Sequence, residues 1–189
     1  MATTTKPERL YFTEDDEANA LIAHDPLALL IGFALDQQVT VQQAFTGPLR
    51  LKQRLGTLDA KAIAGADPGL LEELFRQKPA IHRFPGSMAA RVQELAATVV
   101  DDYGGDAARI WTGVDDPQEL KRRLAALPGF GDMKVRATLA VLAKRFGVEV
   151  ARPVAPDHPT LGDVDSAQAL VDYQAAKRAY KASLRARGS

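Results

Sequence analysis

The 189-residue chain contains no cysteine. Disulfides, iron–sulfur clusters and thiolate zinc sites are therefore excluded. Histidine is nearly as scarce: His24, His82 and His158 lie far apart and show no ligand spacing, so neither a metal site nor a cofactor is expected. Only 6% of the residues are aromatic, and few segments carry the alternating β-branched pattern of strands. No run approaches the roughly 20 apolar residues of a membrane span. The start of the chain, Met1-Ala2-Thr3-Thr4-Thr5-Lys6-Pro7, lacks the apolar core of an export signal. The expectation is a cytoplasmic protein with no membrane partner. An excess of charge is also missing, with 24 Lys and Arg against 24 Asp and Glu. That balance argues against neutralising a polyanion over the whole surface, although a neutral total can conceal a basic face.

What is present is a succession of helix signals, and 46% hydrophobic residues to build a core. Residues 1–12 read as a flexible arm with a short apolar end, Leu10-Tyr11-Phe12. Glu14, Asp15 and Asp16 suit the positive end of a first helix reaching about Ala23. Asp25-Pro26 restarts the chain as N-cap and first helical residue. Residues 27–35 are apolar all round and predict a central buried helix. Asp36-Gln37-Gln38 interrupts that run. A helix over 41–55 closes at Gly56, and short helices are expected near 59–65 and 68–77. Pro85 opens a helix ending at Tyr103 before Gly104-Gly105. Residues 148–164 hold three prolines and read as a loop. Asp165-Ser166 caps a last helix, over 165–186, whose lysines and arginines suit its C-terminal end. The fold class is all-α, with residues 1–189 forming one domain.

Between these elements, residues 118–147 form a helical hairpin. An amphipathic helix ending at Leu127 leads into Pro128-Gly129-Phe130-Gly131, and a second helix follows. Two glycines one residue apart allow conformations closed to other residues and let another backbone approach. The free N–H groups that open the second helix can accept a phosphate oxygen without formal charge. Phe130 anchors the turn. The plainer reading is a tight turn between antiparallel helices. Against it stand Lys121, Arg122, Arg123, Lys134, Arg136, Lys144, Arg145 and Arg152, which outnumber Glu119, Asp132 and Glu149 in the same stretch.

Three segments together resemble the helix-hairpin-helix (HhH-GPD) superfamily of DNA glycosylases, the endonuclease III-like enzymes, here without an iron–sulfur cluster. Residues 31–41, Ile-Gly-Phe-Ala-Leu-Asp-Gln-Gln-Val-Thr-Val, look like that family's early apolar helix and Gln-containing turn. Residues 84–95 with Tyr103-Gly104-Gly105 are similar to its helix before the hairpin. The hairpin itself is the third. The resemblance spans residues 27–147 and implies two helical lobes with a DNA cleft between them. It also implies a monomeric protein, nucleoid-associated if bacterial, whose partner is double-stranded DNA carrying a damaged base.

The same resemblance implies roles for individual residues. Gln37 or Gln38 would fill the gap left by a flipped nucleotide. Pro128, Gly129, Phe130, Gly131, Lys134 and Arg136 would contact DNA. The family places a catalytic Asp after the hairpin in a pattern like apolar-x-Asp-x-His, and Val154-Ala155-Pro156-Asp157-His158 is the nearest match; Asp163 and Asp165 are rivals. A carboxylate there stabilises positive charge developing on the sugar and aligns water. Bifunctional members carry a Schiff-base lysine two residues beyond the second glycine. Met133 occupies that place, which implies a monofunctional enzyme, while Lys134, one residue later, is either a displaced catalytic amine or a phosphate contact. Trp111, Tyr11, Phe12 and Phe84 are candidates to stack on an extruded base. The expected function is base excision of a damaged or deaminated base; the alternative is a non-catalytic DNA-binding or lesion-sensing protein of the same fold.

Overall fold

Nine α-helices and three 3-10 helices run through residues 6–188, the part of the chain described by this computed structural model, and no strand occurs among the described residues. The helices are α1 (Asp16–His24), α2 (Pro26–Leu35), α3 (Val41–Leu55), α4 (Ala60–Ala64), α5 (Pro68–Arg76), α6 (Pro85–Tyr103), α7 (Pro117–Ala125), α8 (Asp132–Lys144) and α9 (Ala167–Arg187). The 3-10 turns cover Ala107–Ile110, Glu149–Val154 and Leu161–Asp163.

Punctuation in the sequence sets these bounds. The Asp25 carboxylate accepts from the N–H groups of Leu27 (2.9 Å) and Ala28 (3.2 Å), while its own N–H closes α1 on Leu21 O at 2.8 Å. One residue thus ends one helix and starts the next, and the chain bends by 115° there. Gly56 and Gly104, at φ +89° and +64°, close α3 and α6 in the left-handed conformation that glycine adopts without penalty.

Residues 27–35 of α2 are all buried, as their unbroken apolarity predicts. Helix α3 lies close against α2 because glycines face large side chains. A Cβ on Gly32 would stand 2.3 Å from Phe45 Cδ1, and one on Gly47 would stand 2.5 Å from Leu35 Cδ1. Phe45 also meets Phe12 and Phe33 edge-on, with ring centroids 4.9 and 5.1 Å apart. Helices α1 to α6 gather around this centre to form one lobe. Helices α7 and α8, the two later 3-10 turns and α9 form the other, and α2 meets α8 at the junction.

Two sequence expectations change. The end of the supposed N-terminal arm is part of the core: Leu10 and Phe12 are buried, Leu10 N–H donates to Asn19 O at 3.1 Å, and the buried Asn19 amide exchanges hydrogen bonds with Thr13. Its apolar end finds a slot beside α1 and α3, so burial overrides the polar composition of residues 1–9, of which 1–5 lie outside the described residues. The proline-rich stretch 148–164 is likewise not simple loop. Its 3-10 turns are short, the first with Pro153 inside it, and the second packs so tightly that a Cβ on Gly162 would lie 2.6 Å from Ala140 O.

Candidate nucleic-acid interface

The hairpin turn is built on two buried side chains and two exposed glycines. Leu127 and Phe130 are buried, and Phe130 N–H donates to Leu127 O at 3.1 Å, folding residues 127–130 into a tight turn. Gly129 sits at φ +78° under the Arg91 guanidinium of α6; a Cβ on it would be 2.1 Å from Arg91 Nη1. Gly131 has ordinary extended backbone (φ −75°, ψ 177°) and a Cβ there would meet nothing within 4 Å. Helix α8 starts at Asp132 with no side-chain cap, and its first backbone bond is Val135 N–H to Gly131 O at 3.0 Å. Its opening N–H groups are therefore left for a ligand or water.

The basic residues counted from the sequence are mostly paired within their own helices. Arg122 and Arg123 hold Glu119 (2.9 and 3.0 Å), Arg136 holds Asp132 (3.0 Å), Arg152 holds Glu149 (3.0 Å) and Lys144 holds Asp163 (2.7 Å). The pairs follow from i,i+3 and i,i+4 spacings, or from packing of the last 3-10 turn on α8. Charge at the hairpin is thus less one-sided than the sequence count implies. It comes chiefly from Arg91, which sequence reading did not single out, and from Lys134.

Helical phase separates Met133 from Lys134. Met133 is 80% exposed, whereas Lys134 turns inward and its Nζ donates to Ala34 O of α2 at 3.0 Å. Burial lowers the Lys134 pKa, with Arg91 adding to the effect and the negative charge of Asp36 opposing it. Lys134 therefore satisfies a carbonyl at the negative end of α2, where a cation is favoured.

His82 does the same from the other side. It is fully buried, its Nε2 lies 3.1 Å from Leu35 O and 2.9 Å from Gln37 O, and its Nδ1 accepts the Phe84 N–H at 3.0 Å. Two carbonyl acceptors at Nε2 and one donor at Nδ1 fix the neutral Nε2–H tautomer. Burial lowers its pKa, against the two backbone bonds. His82 thereby clamps the Gln turn, in which Gln37 and Gln38 are exposed and Gln38 has φ +57°. Nothing in the sequence marks this histidine, because its partners are carbonyls far along the chain.

The sequence model describing the HhH-GPD superfamily base excision DNA repair protein matches residues 31–182. The chain belongs to that superfamily. Membership makes it a base excision DNA repair protein of a DNA-binding family. Comparison with curated proteins and with solved structures finds no significant match.

Among the carboxylates, this HhH-GPD protein places Asp157 on the surface between the two later 3-10 turns, with no hydrogen bond or ion pair to any described residue. Asp163 is bound to Lys144 and to Thr160 N–H (2.8 Å). Its burial acts to raise its pKa, but these hydrogen bonds prevail and lower it. Asp165 is exposed next to the Ser166 cap, whose hydroxyl accepts Ala169 N–H at 3.1 Å. Asp36, at the C-cap of α2, is the carboxylate electrostatically coupled to Lys134. Among the aromatics, Phe12 and Trp111 belong to the core and Tyr11 packs against it, while Phe84 is 39% exposed beside His82, under the Arg83 guanidinium.

Proposed function

We propose that this HhH-GPD protein is a DNA glycosylase that hydrolyses the N-glycosidic bond of a damaged or deaminated base in double-stranded DNA. The observation that carries the reading is the meeting of an uncapped hairpin helix with the Gln turn, joined by the Lys134–Ala34 hydrogen bond. A phosphate held on the α8 N–H groups beside Arg91 sets the register of the duplex. The target nucleotide then leaves the stack, at a cost of a few kcal/mol. Gln38, or else Gln37, fills the gap, and Phe84 offers an exposed ring for stacking.

Met133, at the place where bifunctional relatives carry their lysine, faces solvent, and the Lys134 amine is already engaged with α2. Both favour water as the nucleophile. A second reading, a lyase acting through Lys134, rests on the burial that lowers that amine's pKa. Incubating the protein with duplexes carrying uracil, alkylated and oxidised bases tests the proposal. Base release without a borohydride-trapped adduct is expected. A trapped adduct lost in Lys134→Ala establishes the lyase, and DNA binding with no release from any lesion leaves only a binding protein.

A further inference from the structure

Asp36 breaks three local rules at once. It stands at the C-terminus of α2, where the helix dipole disfavours a negative charge. It is partly buried, and its carboxylate accepts no hydrogen bond and makes no direct ion pair among the described residues. A carboxylate placed so weakens the fold, and such local conflicts are expected at functional sites. The groups facing it come from three elements. Lys134 of α8 and Lys177 of α9 act on it from beyond ion-pair distance, Tyr173 of α9 lies within its field, and its own α2 contributes the dipole end. Helix α9 is held over this point by a reciprocal amide pair between Gln42 and Gln174, at 3.1 and 2.8 Å.

We infer that Asp36 is the carboxylate that serves the flipped nucleotide, with Lys134 and Lys177 as the cations nearest to it. The inference rests on the glycosylase reading. Burial raises the Asp36 pKa, against the opposing pull of Lys177 and Lys134, which makes it a better proton acceptor than an ordinary surface carboxylate. In the step it would serve, a water oxygen bonds to C1′ of the flipped sugar and gives a proton to Asp36. The C1′–N bond breaks with its electron pair going to the base, which takes a proton from solvent; Asp36 later returns its own. Before the bond to water is complete, the sugar is cationic, and the Asp36 charge stabilises it. The geometric support is its place, directly before Gln37 and Gln38 at the end of α2, and near enough to Lys134 in the first turn of α8 for the two charges to act on each other.

The test compares wild type, Asp36→Asn and Asp157→Asn in three measurements. Asp36→Asn is expected to slow base release by roughly 100-fold or more, while leaving the melting temperature unchanged or higher, because it removes an unfavourable buried charge. Duplexes carrying either a cationic pyrrolidine or a neutral tetrahydrofuran in place of the sugar separate charge recognition from turnover. Wild type should bind the cationic duplex on the order of tenfold more tightly, and Asp36→Asn should lose that preference without weaker binding to the neutral one. Full activity in Asp36→Asn, above all if Asp157→Asn is the inactive variant, overturns the inference and leaves the glycosylase reading intact. An Asp36-dependent preference with no release from any lesion upholds the assignment and defeats the reading. Equal binding of the two duplexes by wild type overturns the inference outright.

Discussion

Gly129, at φ +78° beneath Arg91, and Gly131, in extended backbone with open space where its Cβ would be, answer different needs within one turn. Alanine at position 129 brings about 1–2 kcal/mol of left-handed strain and pushes the Arg91 guanidinium aside. Valine at 131 meets no such obstacle, yet its branches stand where a phosphate must approach the α8 N–H groups. Gly131→Val is therefore expected to keep the wild-type melting temperature and lose most DNA affinity, whereas Gly129→Ala loses stability first. Equal DNA affinity of Gly131→Val and wild type in a fluorescence-anisotropy titration would show that the turn does not grip phosphate. His82 gives a second prediction at this scale. Its folded pKa lies below the unfolded value of about 6.5, so the unfolded chain binds the extra proton. Its contribution is fully present above that unfolded pKa and is lost as pH falls toward the folded pKa. Protonated Nδ1 would also face the Phe84 N–H, donor against donor. His24 and His158 are exposed, and the raised Asp36 pKa acts with the opposite sign. Urea melts should thus show stability falling between about pH 7 and pH 5, with a flatter profile in His82→Asn. An identical slope in the two proteins rules this out.

Helix boundaries were largely legible because they depend on near neighbours. Asp25-Pro26, Gly56 and Gly104 act through hydrogen bonds and φ values within a few residues, and each lies where the sequence predicts. Asp25 allows a measurement of that local control: Asp25→Ala removes the cap of α2 and should cost about 1 kcal/mol, a fall of roughly 2–4 °C in Tm for a chain of this size. Thermal unfolding that shows no change would mean that tertiary burial of α2 alone fixes its start. The unread features depend on distant partners. Leu10 and Phe12 find their slot only once α1 and α3 are packed, and the 3-10 turn at Leu161–Asp163 exists against Ala140 of α8. Whether Met133 or Lys134 points inward is a question of helical phase, and a one-residue change in the turn rotates the side chain by about 100°. The sequence therefore marks the hairpin, while the choice of amine and the coupling to Asp36 emerge only when α2 and α8 meet.

At the scale of the molecule, the equal count of acids and bases has a structural form. Most arginines near the hairpin are tied to acids on their own helix, through exposed pairs that individually contribute little, about 0–1 kcal/mol. Two arrangements with DNA are then possible. In one, the pairs stay closed and binding relies on uncharged α8 N–H groups with Arg91 and Lys134. In the other, phosphates displace Glu119, Asp132 and Glu149, and the freed arginines join the contact. Salt distinguishes them, because each neutralised phosphate adds about −0.9 to the slope of log K against log salt. The closed arrangement, with two cations on phosphate, predicts a slope of about −2, shallow for a DNA-binding protein. The intramolecular pairs hold their geometry at no cost on binding, and hydrogen bonds from backbone N–H groups release no counterions of their own, so the closed arrangement is expected. Anisotropy titrations over a range of potassium chloride concentrations measure the slope. A value of about −5 would show that the paired arginines open onto the phosphates, and Asp132→Asn, which frees Arg136 beside the hairpin, should then leave the slope unchanged instead of steepening it by about one unit.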